Sequence, residues 1–461
     1  MQGLNYNILA KQYITMTHLY KKLEDISQNH LLDQINKSED LTLFHHQLEN
    51  LDISFLHQQL ETLSQPPSLI AFSPPQTFDL SGKDPNLQRI GNGLLKEKRV
   101  GCVVLAGGQG SRLKCKGPKG LFPISAVKNK TLFQMIAEKV LAASHLSKQK
   151  LPLAFMTSPI NNEQTRAYFD SHEYFGLSPH QVSFFQQPLW PLLDLDGKLF
   201  LDDCNSIALG PNGNGCFAKM MLSSGLWDQW KAEGIEMVSV IPIDNPLALP
   251  FDPELFGYHF LENNDVTIKT VLRNHPTEDI GVLAIDSATN KTTVIEYSEI
   301  PDQERFAQNS EGRLKYPLGN IGLYCLSMDF IKTASEAPLP IHKACKYTKK
   351  FSGGQISDEQ AWKFEEFIFD LFRYGNRCST LVYPRDVCFA PLKNLKGNHS
   401  PETVRQALNT RERQLYRDAT GKDVTPNTTF ELEASFYYAS HSSFAQRQNK
   451  AFFKESFIEA T

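Results

Sequence analysis

The residues best suited to chemistry lie in one run, VVLAGGQGSRLKCKGPKG, from Val103 to Gly120. An apolar stretch leads straight into Gly107, Gly108 and Gly110, which lack the side chains that would keep a ligand away from backbone N–H groups. Arg112 and Lys119 follow. Open amides beside two cations make a site for a chain of phosphates. Two other glycine signatures are excluded. No GxxxxGK followed by Ser or Thr occurs, and Gly108-Gln109-Gly110 continues to Leu113 where a dinucleotide fingerprint needs its third glycine. A short GGxG alone reads more plainly as a tight turn with two solvated cations. The full string, with a strand ahead and Pro118-Lys119 behind, favours the phosphate site.

Other groups stand where apolar runs end. Gln186 closes Val182–Gln186, and its amide offers both donor and acceptor to the edge of a base. Asp244 follows Met237–Ile243, and a carboxylate at the end of a strand is well placed to hold a divalent cation. Gly213-Asn214-Gly215 precedes a helical run, where it could admit a ligand closely or simply turn and cap the helix. Asp194-Leu195-Asp196 has the spacing of a metal-binding acidic pair, but Gly197 follows, and a surface turn is the preferred reading. Lys393 lies in Pro391-Leu392-Lys393-Asn394, as a phosphate clamp or a plain surface lysine. The thirteen histidines pair with no convincing metal or catalytic partner, and the eight cysteines form no CxxC. They read as structural thiols in a reducing cytoplasm.

These groups need elements to position them. A chain of 461 residues exceeds one compact core, so two or three domains are expected. A formal net charge of −4 gives no reason to expect nucleic acid as a partner. No export signal is expected at the N-terminus, and no apolar run reaches the length of a membrane span. Residues 1–95 carry helix-spaced apolar residues, with Pro66–Pro75 as a linker or wrapping arm. Residues 96–395 alternate strands and helices. The strands are expected at Arg99–Ala106, Leu153–Thr157, Val182–Gln186, Met237–Asp244, Val266–Leu272, Thr293–Tyr297 and Gly322–Leu326. The helices are expected at Thr131–His145, Asn161–Phe169 and Phe217–Ala232. Several strands are continuously apolar, as in a largely parallel sheet covered on both faces. Residues 396–461 are expected to form a small C-terminal β-containing domain, with Phe430–Tyr438 as its clearest segment. The fold class is therefore α/β, a central mixed, largely parallel sheet flanked by an N-terminal helical region and this C-terminal domain.

The string from Leu105 to Gly120 resembles the LAGGxGTRLG…PKG signature of the eukaryotic-type UDP-sugar pyrophosphorylases, with Ser111 for the usual Thr and Lys114 for the usual Gly. The resemblance runs from about residue 100 to 395. It continues through Met156-Thr157-Ser158, Tyr174–Leu177, Phe184–Gln187, Pro211–Gly215, Asp244-Asn245, Glu296–Glu299, Gly319–Ile321 and Pro391–Asn394. It implies a Rossmann-like, GT-A-like nucleotidyltransferase core that joins UTP to a sugar 1-phosphate with Mg²⁺ and releases pyrophosphate. It implies catalytic roles for Arg112, Lys119 and Lys393, and nucleotide contacts for Ala106, Gly107, Gly108, Gln186, Gly213 and Asn214. It further implies sugar contacts for Gly281, Glu296 and Asn320, and Asp244 as the metal ligand. N-acetylglucosamine 1-phosphate is slightly favoured over glucose 1-phosphate, although Cys115–Lys119 is similar to the glucose branch. Broad acceptance of sugars, a UDP-sugar-dependent glycosyltransferase and a silent sugar-nucleotide sensor are the alternatives. The expected state is a monomer or weak oligomer.

Overall fold

The computed structural model describes residues 20–35, 40–65, 71–75, 78–81, 84–115, 117–425, 428–438 and 455–458. They group into two compact units. The smaller joins the described residues of Met1–Leu69 to Pro188–Gly213 and Leu339–Phe367; the larger holds Ile70–Gln187, Asn214–Pro338 and Ile368–Thr461. This grouping does not follow the linear division into 1–95, 96–395 and 396–461, because the smaller unit is assembled from three separated segments.

In the larger unit the strands of the main sheet are β1 (Phe72–Ser73), β2 (Asp79–Leu80), β3 (Val100–Leu105), β4 (Leu153–Thr157), β5 (Val182–Gln186), β6 (Met237–Pro242), β7 (Val266–Leu272), β8 (Val282–Asp286), β9 (Lys291–Ile295), β10 (Leu318–Ser327) and β11 (Cys378–Val382). They form one sheet in the order β2-β11-β7-β10-β6-β3-β4-β5, with β8 pairing β1, β9 and β10 beside it. The run β6-β3-β4-β5 is parallel. Its strands β3 and β4 are buried almost throughout, which explains why their sequences are uniformly apolar rather than alternating. Strand β10 runs antiparallel to both neighbours and makes the sheet mixed.

From β3 the chain passes to β4 and β5 on one side, while β6 pairs the other side of β3. The order therefore reverses at β3, and the crevice beyond the carboxyl ends of β3 and β6 is where open α/β sheets bind ligands. The two strands stay in register to Pro242 opposite Leu105, and the Ile243 N–H still donates to the Leu105 carbonyl at 3.1 Å.

Several helices flank the strands. Leu132–Ser147 starts at Thr131, whose side chain accepts from the Gln134 N–H, and ends at left-handed Lys148. Phe217–Ala232 is two helices, Phe217–Ser223 and Leu226–Ala232, separated at Gly225 (φ +77°). The C-terminal part belongs to the larger unit, and its main element is a helix, Pro401–Thr420, with a Ser400–Thr403 capping box. Thr429–Leu432 pairs in parallel with Glu455–Ile458, and Ala434–Tyr438 is a 3₁₀ turn.

In the smaller unit, helices His30–Ile35, Thr42–Glu49 and Ile53–Ser64 bury Leu31, Phe44, Leu48 and Leu56 in a cluster with Leu193, Leu201 and Phe364. A hairpin, His342–Ser352 with Gln355–Glu365, turns at Gly353-Gly354, both left-handed as such a turn requires. The expected arm over Pro66–Pro75 lies outside the described residues at 66–70. Asp194 closes a surface turn: Oδ1 accepts the N–H groups of Asp196 and Lys198, and Oδ2 pairs with Lys350.

Candidate active site

The glycine run leaves the end of β3 at the switch point. Ala106 is still in the sheet, donating to the Met156 carbonyl. At Gly107 a Cβ would sit 1.8 Å from the Gln187 amide nitrogen, so any side chain there would have to displace that amide. Gly108 is exposed and would meet nothing, so its missing side chain leaves its backbone open to solvent. The loop then folds back, with Gly110 donating to the Gly117 carbonyl and Lys119 to the Gly108 carbonyl. The N–H groups of Gly107, Gly108 and Gln109 have no hydrogen-bond partner among the described residues. Three successive donors at the edge of a crevice suit an anion.

Lys119 reaches across to Asp244, Nζ to Oδ2 at 3.0 Å, with both side chains under a fifth exposed. Asp244 lies just past β6, and its own carbonyl accepts the Leu392 N–H, which brings the Lys393 turn to the same place. Burial pushes the Asp244 carboxyl up, but the ammonium groups of Lys119 and Lys393 outweigh it and hold the group below the usual carboxylate range. Lys393 is fixed by its N–H on the carbonyl of His399, a residue in the left-handed region. Arg112 is exposed on a short 3₁₀ turn and has no hydrogen bond or ion pair among the described residues. Gln186 ends β5, also exposed, opposite Thr157 of β4.

A second group gathers around β10. Between Lys269 and Thr270 of β7 the pairing shifts from Leu323 to Asn320, so Ile321 and Gly322 bulge out, with Gly322 at φ +73°. A Cβ on Gly322 would lie 3.6 Å from the Pro242 ring, which sets this bulge beside the end of β6. Tyr324 is buried, which pushes its phenol up and keeps it protonated; it donates to Asn320 Oδ1 at 2.8 Å. The Asn320 NH₂ donates to nothing among the described residues and remains for a ligand. The Asn320 N–H donates to the Gly281 carbonyl at 2.8 Å, and a Cβ on Gly281 would stand 3.2 Å from Glu296 Oε1. Gly281, Glu296 and Asn320 thus converge.

Two further expected residues, Asn214 and Gly213, make structural contacts. Asn214 Oδ1 accepts the Ile368 N–H at 2.9 Å, anchoring the 3₁₀ run Ile368–Tyr374 and leaving the following helix without a side-chain cap. Gly213 belongs to the smaller unit, where at φ +93° it bridges to Glu366; a Cβ would sit 2.3 Å from the Glu366 carbonyl oxygen.

Sequence reasoning missed three residues. Asn245 ties the Asp244 turn to the segment before Lys393, donating to the Cys388 carbonyl and accepting from the Ala390 N–H. Ser158 and Asn161 donate to carbonyls of the glycine loop. The signal was present: Asp244-Asn245 and Met156-Thr157-Ser158 are both motif segments. Among the described residues no cluster of three or more His, Cys, Asp or Glu groups could hold a metal by protein ligands alone. No helix among them is long and apolar enough to cross a membrane.

A mixed, largely parallel sheet with a glycine loop at its switch point defines an α/β protein with a crevice suited to an anion. A sequence model described as UTP–glucose-1-phosphate uridylyltransferase matches residues 77–431, and the chain belongs to that family. UDP-N-acetylglucosamine diphosphorylase 1 of Arabidopsis thaliana is 35% identical over 333 residues, covering 69% of this chain and 65% of its own length. The chain therefore spans just under two thirds of that relative. UDP-N-acetylglucosamine pyrophosphorylase of Saccharomyces cerevisiae is 31% identical over 407 residues, covering 84% of each chain. The crystal structure of the Trypanosoma brucei uridine diphosphate N-acetylglucosamine pyrophosphorylase superposes with a TM-score of 0.78 at 25% identity, covering 96% of this chain and 98% of that one.

Proposed function

We propose that the chain transfers a uridylyl group from UTP to a sugar 1-phosphate, N-acetylglucosamine 1-phosphate ahead of glucose 1-phosphate, and releases pyrophosphate. The observation that carries this reading is the convergence of the open amides of Gly107–Gln109 with Lys119, Asp244 and Lys393 at the switch point. The named relatives support the N-acetylglucosamine form. The family description and the Cys115–Lys119 string favour glucose as the second reading.

In this reaction an oxygen of the sugar 1-phosphate attacks the α-phosphorus of UTP. A new P–O bond forms, the bond to the β-phosphate oxygen breaks, and pyrophosphate leaves with that electron pair. The nucleophile is already ionised at neutral pH, so no general base is required. The task is to bring two polyanions together and hold the charge that develops. Lys119 and Lys393 supply fixed positive charge, and Arg112, whose guanidinium has no partner among the described residues, joins them. Gln186 faces the base, while Asn320 and Glu296 take hydroxyl or acyl groups of the sugar. Mg²⁺ commonly binds through one or two carboxylates together with substrate phosphates and water, and the ionised Asp244 fits such a site. When bound, the ion would neutralise and orient the triphosphate. The eight free thiols support a reducing compartment, the cytoplasm, as the place of action.

Pyrophosphate release from UTP, Mg²⁺ and a panel of sugar 1-phosphates checks the assignment. The panel holds the N-acetylglucosamine, glucose, galactose and N-acetylgalactosamine forms, with ATP, CTP and GTP as controls. Release that requires UTP and is fastest with N-acetylglucosamine 1-phosphate is expected. Faster release with glucose 1-phosphate selects the second reading, and no release with any pair rejects both.

A further inference from the structure

Asn161 stands at the N-cap of the helix Asn162–Ser171, yet its side chain makes no capping hydrogen bond. An asparagine at this position ordinarily caps, and giving that up costs helix stability. Its amide points instead into the glycine loop. Nδ2 donates to the Ala106 carbonyl at 2.9 Å and to the Gly108 carbonyl at 3.4 Å. Between them the Gly107 carbonyl accepts from Ser158 Oγ at 3.1 Å. The two residues are also tied to each other, since Asn161 Oδ1 accepts the backbone N–H of Ser158 at 2.9 Å. Both residues are buried to within 1% of completely.

Three successive carbonyls are thus held by side chains on one side of the loop. A peptide plane carries its C=O and the next N–H on opposite edges, so fixing each carbonyl inward turns the following amide outward. The amides that follow Ala106, Gly107 and Gly108 are those of Gly107, Gly108 and Gln109, which have no partner among the described residues. We infer that Asn161 and Ser158 are positioning residues: they orient the amides of Gly107, Gly108 and Gln109 toward the phosphates of the nucleotide. This rests on the UTP reading above for the ligand, but not for the loop geometry.

Asn161→Asp separates anchoring from capping. Aspartate caps a helix as well as asparagine does, so a capping residue would tolerate the change. An anchoring residue would not, because a carboxylate oxygen would then face two carbonyl oxygens. Two readouts apply to the full-length protein, wild type and variants: UTP affinity by calorimetry, with KM for each substrate, and amide exchange at Gly110 and Lys119, whose bonded N–H groups report loop order. The expected result for Asn161→Asp is UTP binding weaker by about tenfold, the effect of roughly one lost hydrogen bond. KM for UTP rises in parallel, KM for the sugar phosphate stays nearly constant, and exchange at Gly110 and Lys119 quickens. Asn161→Ala is expected to be milder than Asn161→Asp.

Wild-type affinity and wild-type exchange in Asn161→Asp overturn the inference. If that variant does not fold, Ser158→Ala is measured in its place, and the same two outcomes decide. If the wild-type protein itself fails to bind UTP, the nucleotide reading falls, and exchange alone decides the loop: faster exchange upholds the anchoring, unchanged exchange overturns it.

Discussion

The two halves of the crevice are built on different principles. The half around β3 is contiguous in the chain: the loop from Ala106 to Lys119 brings its own amides and cations, and Asp244 closes it from the adjacent strand. The half around β10 is discontinuous: Gly281, Glu296 and Asn320 come from three separate places and carry neutral donors with one carboxylate. A polyanion is held by backbone dipoles and fixed charge, which act over several ångströms and tolerate small errors of position. A neutral sugar is held by hydrogen bonds, which weaken within a few tenths of an ångström. The first half can therefore be written as a short sequence motif, whereas the second depends on pairing register.

This contrast can be broken in order of effect. Lys119→Ala should be the most damaging, lowering kcat by about 10²–10³-fold, the scale for losing a group that stabilises transition-state charge. Its KM for the sugar phosphate should stay within about twofold; a large rise there would mean that the halves are not separable. Asn320→Ala should do the reverse, raising KM for the sugar phosphate by about tenfold and leaving that for UTP unchanged. Steady-state kinetics with each substrate varied in turn checks both.

Gly281→Ala is expected to be smaller. The new methyl would meet Val294 Cγ1 at 2.9 Å and Glu296 Oε1 at 3.2 Å, so one of them must give. The expected cost is about 1–2 kcal/mol of stability, read by thermal melting, with a severalfold rise in KM for the sugar phosphate.

The smallest expected effect on catalysis lies outside both halves. Burial raises the Glu412 carboxyl to about 8, where it accepts from Leu432 N–H and pairs with the Tyr437 hydroxyl. Its folded value exceeds its unfolded one, so the folded state binds the extra proton between about pH 4.5 and 8 and stability falls as pH rises through that window. Glu412→Gln should match wild type near pH 5 and melt higher than wild type near pH 9. Melting curves at the two pH values test this, and equal behaviour at both would remove Glu412 from the account.

What was legible in the sequence follows the same division. The bounds of β4, β5 and β7 match expectation: β4 is an almost unbroken apolar run buried throughout, and β5 and β7 are rich in β-branched or aromatic residues. The glycine loop, Lys119 and the strand-end position of Asp244 were readable for that reason. The convergence around β10 was not, because a bulge is a property of two strands and neither Thr270 nor Asn320 signals it alone. Without the family resemblance, Glu296 reads as a solvated strand residue. Pro401–Thr420 escaped notice because its buried positions, among them Val404, Leu408 and Leu415, are sparse among charged neighbours. The hairpin His342–Glu365 did so because its tip strands are exposed and polar.

The three-part origin of the smaller unit bears on how the chain emerges during synthesis. The helices carrying Leu31, Phe44, Leu48 and Leu56 are made first, yet the cluster that covers them also needs Leu193, Leu199, Leu201 and Phe364. Until translation has passed Phe364, more than 300 residues after Leu56, these apolar faces have no complete partner. The strands β3, β4 and β5 lie close together in the chain and can associate long before that. Nascent-chain folding should therefore begin in the middle of the molecule, with its first-made helices among the last parts to settle and the most dependent on chaperone shelter.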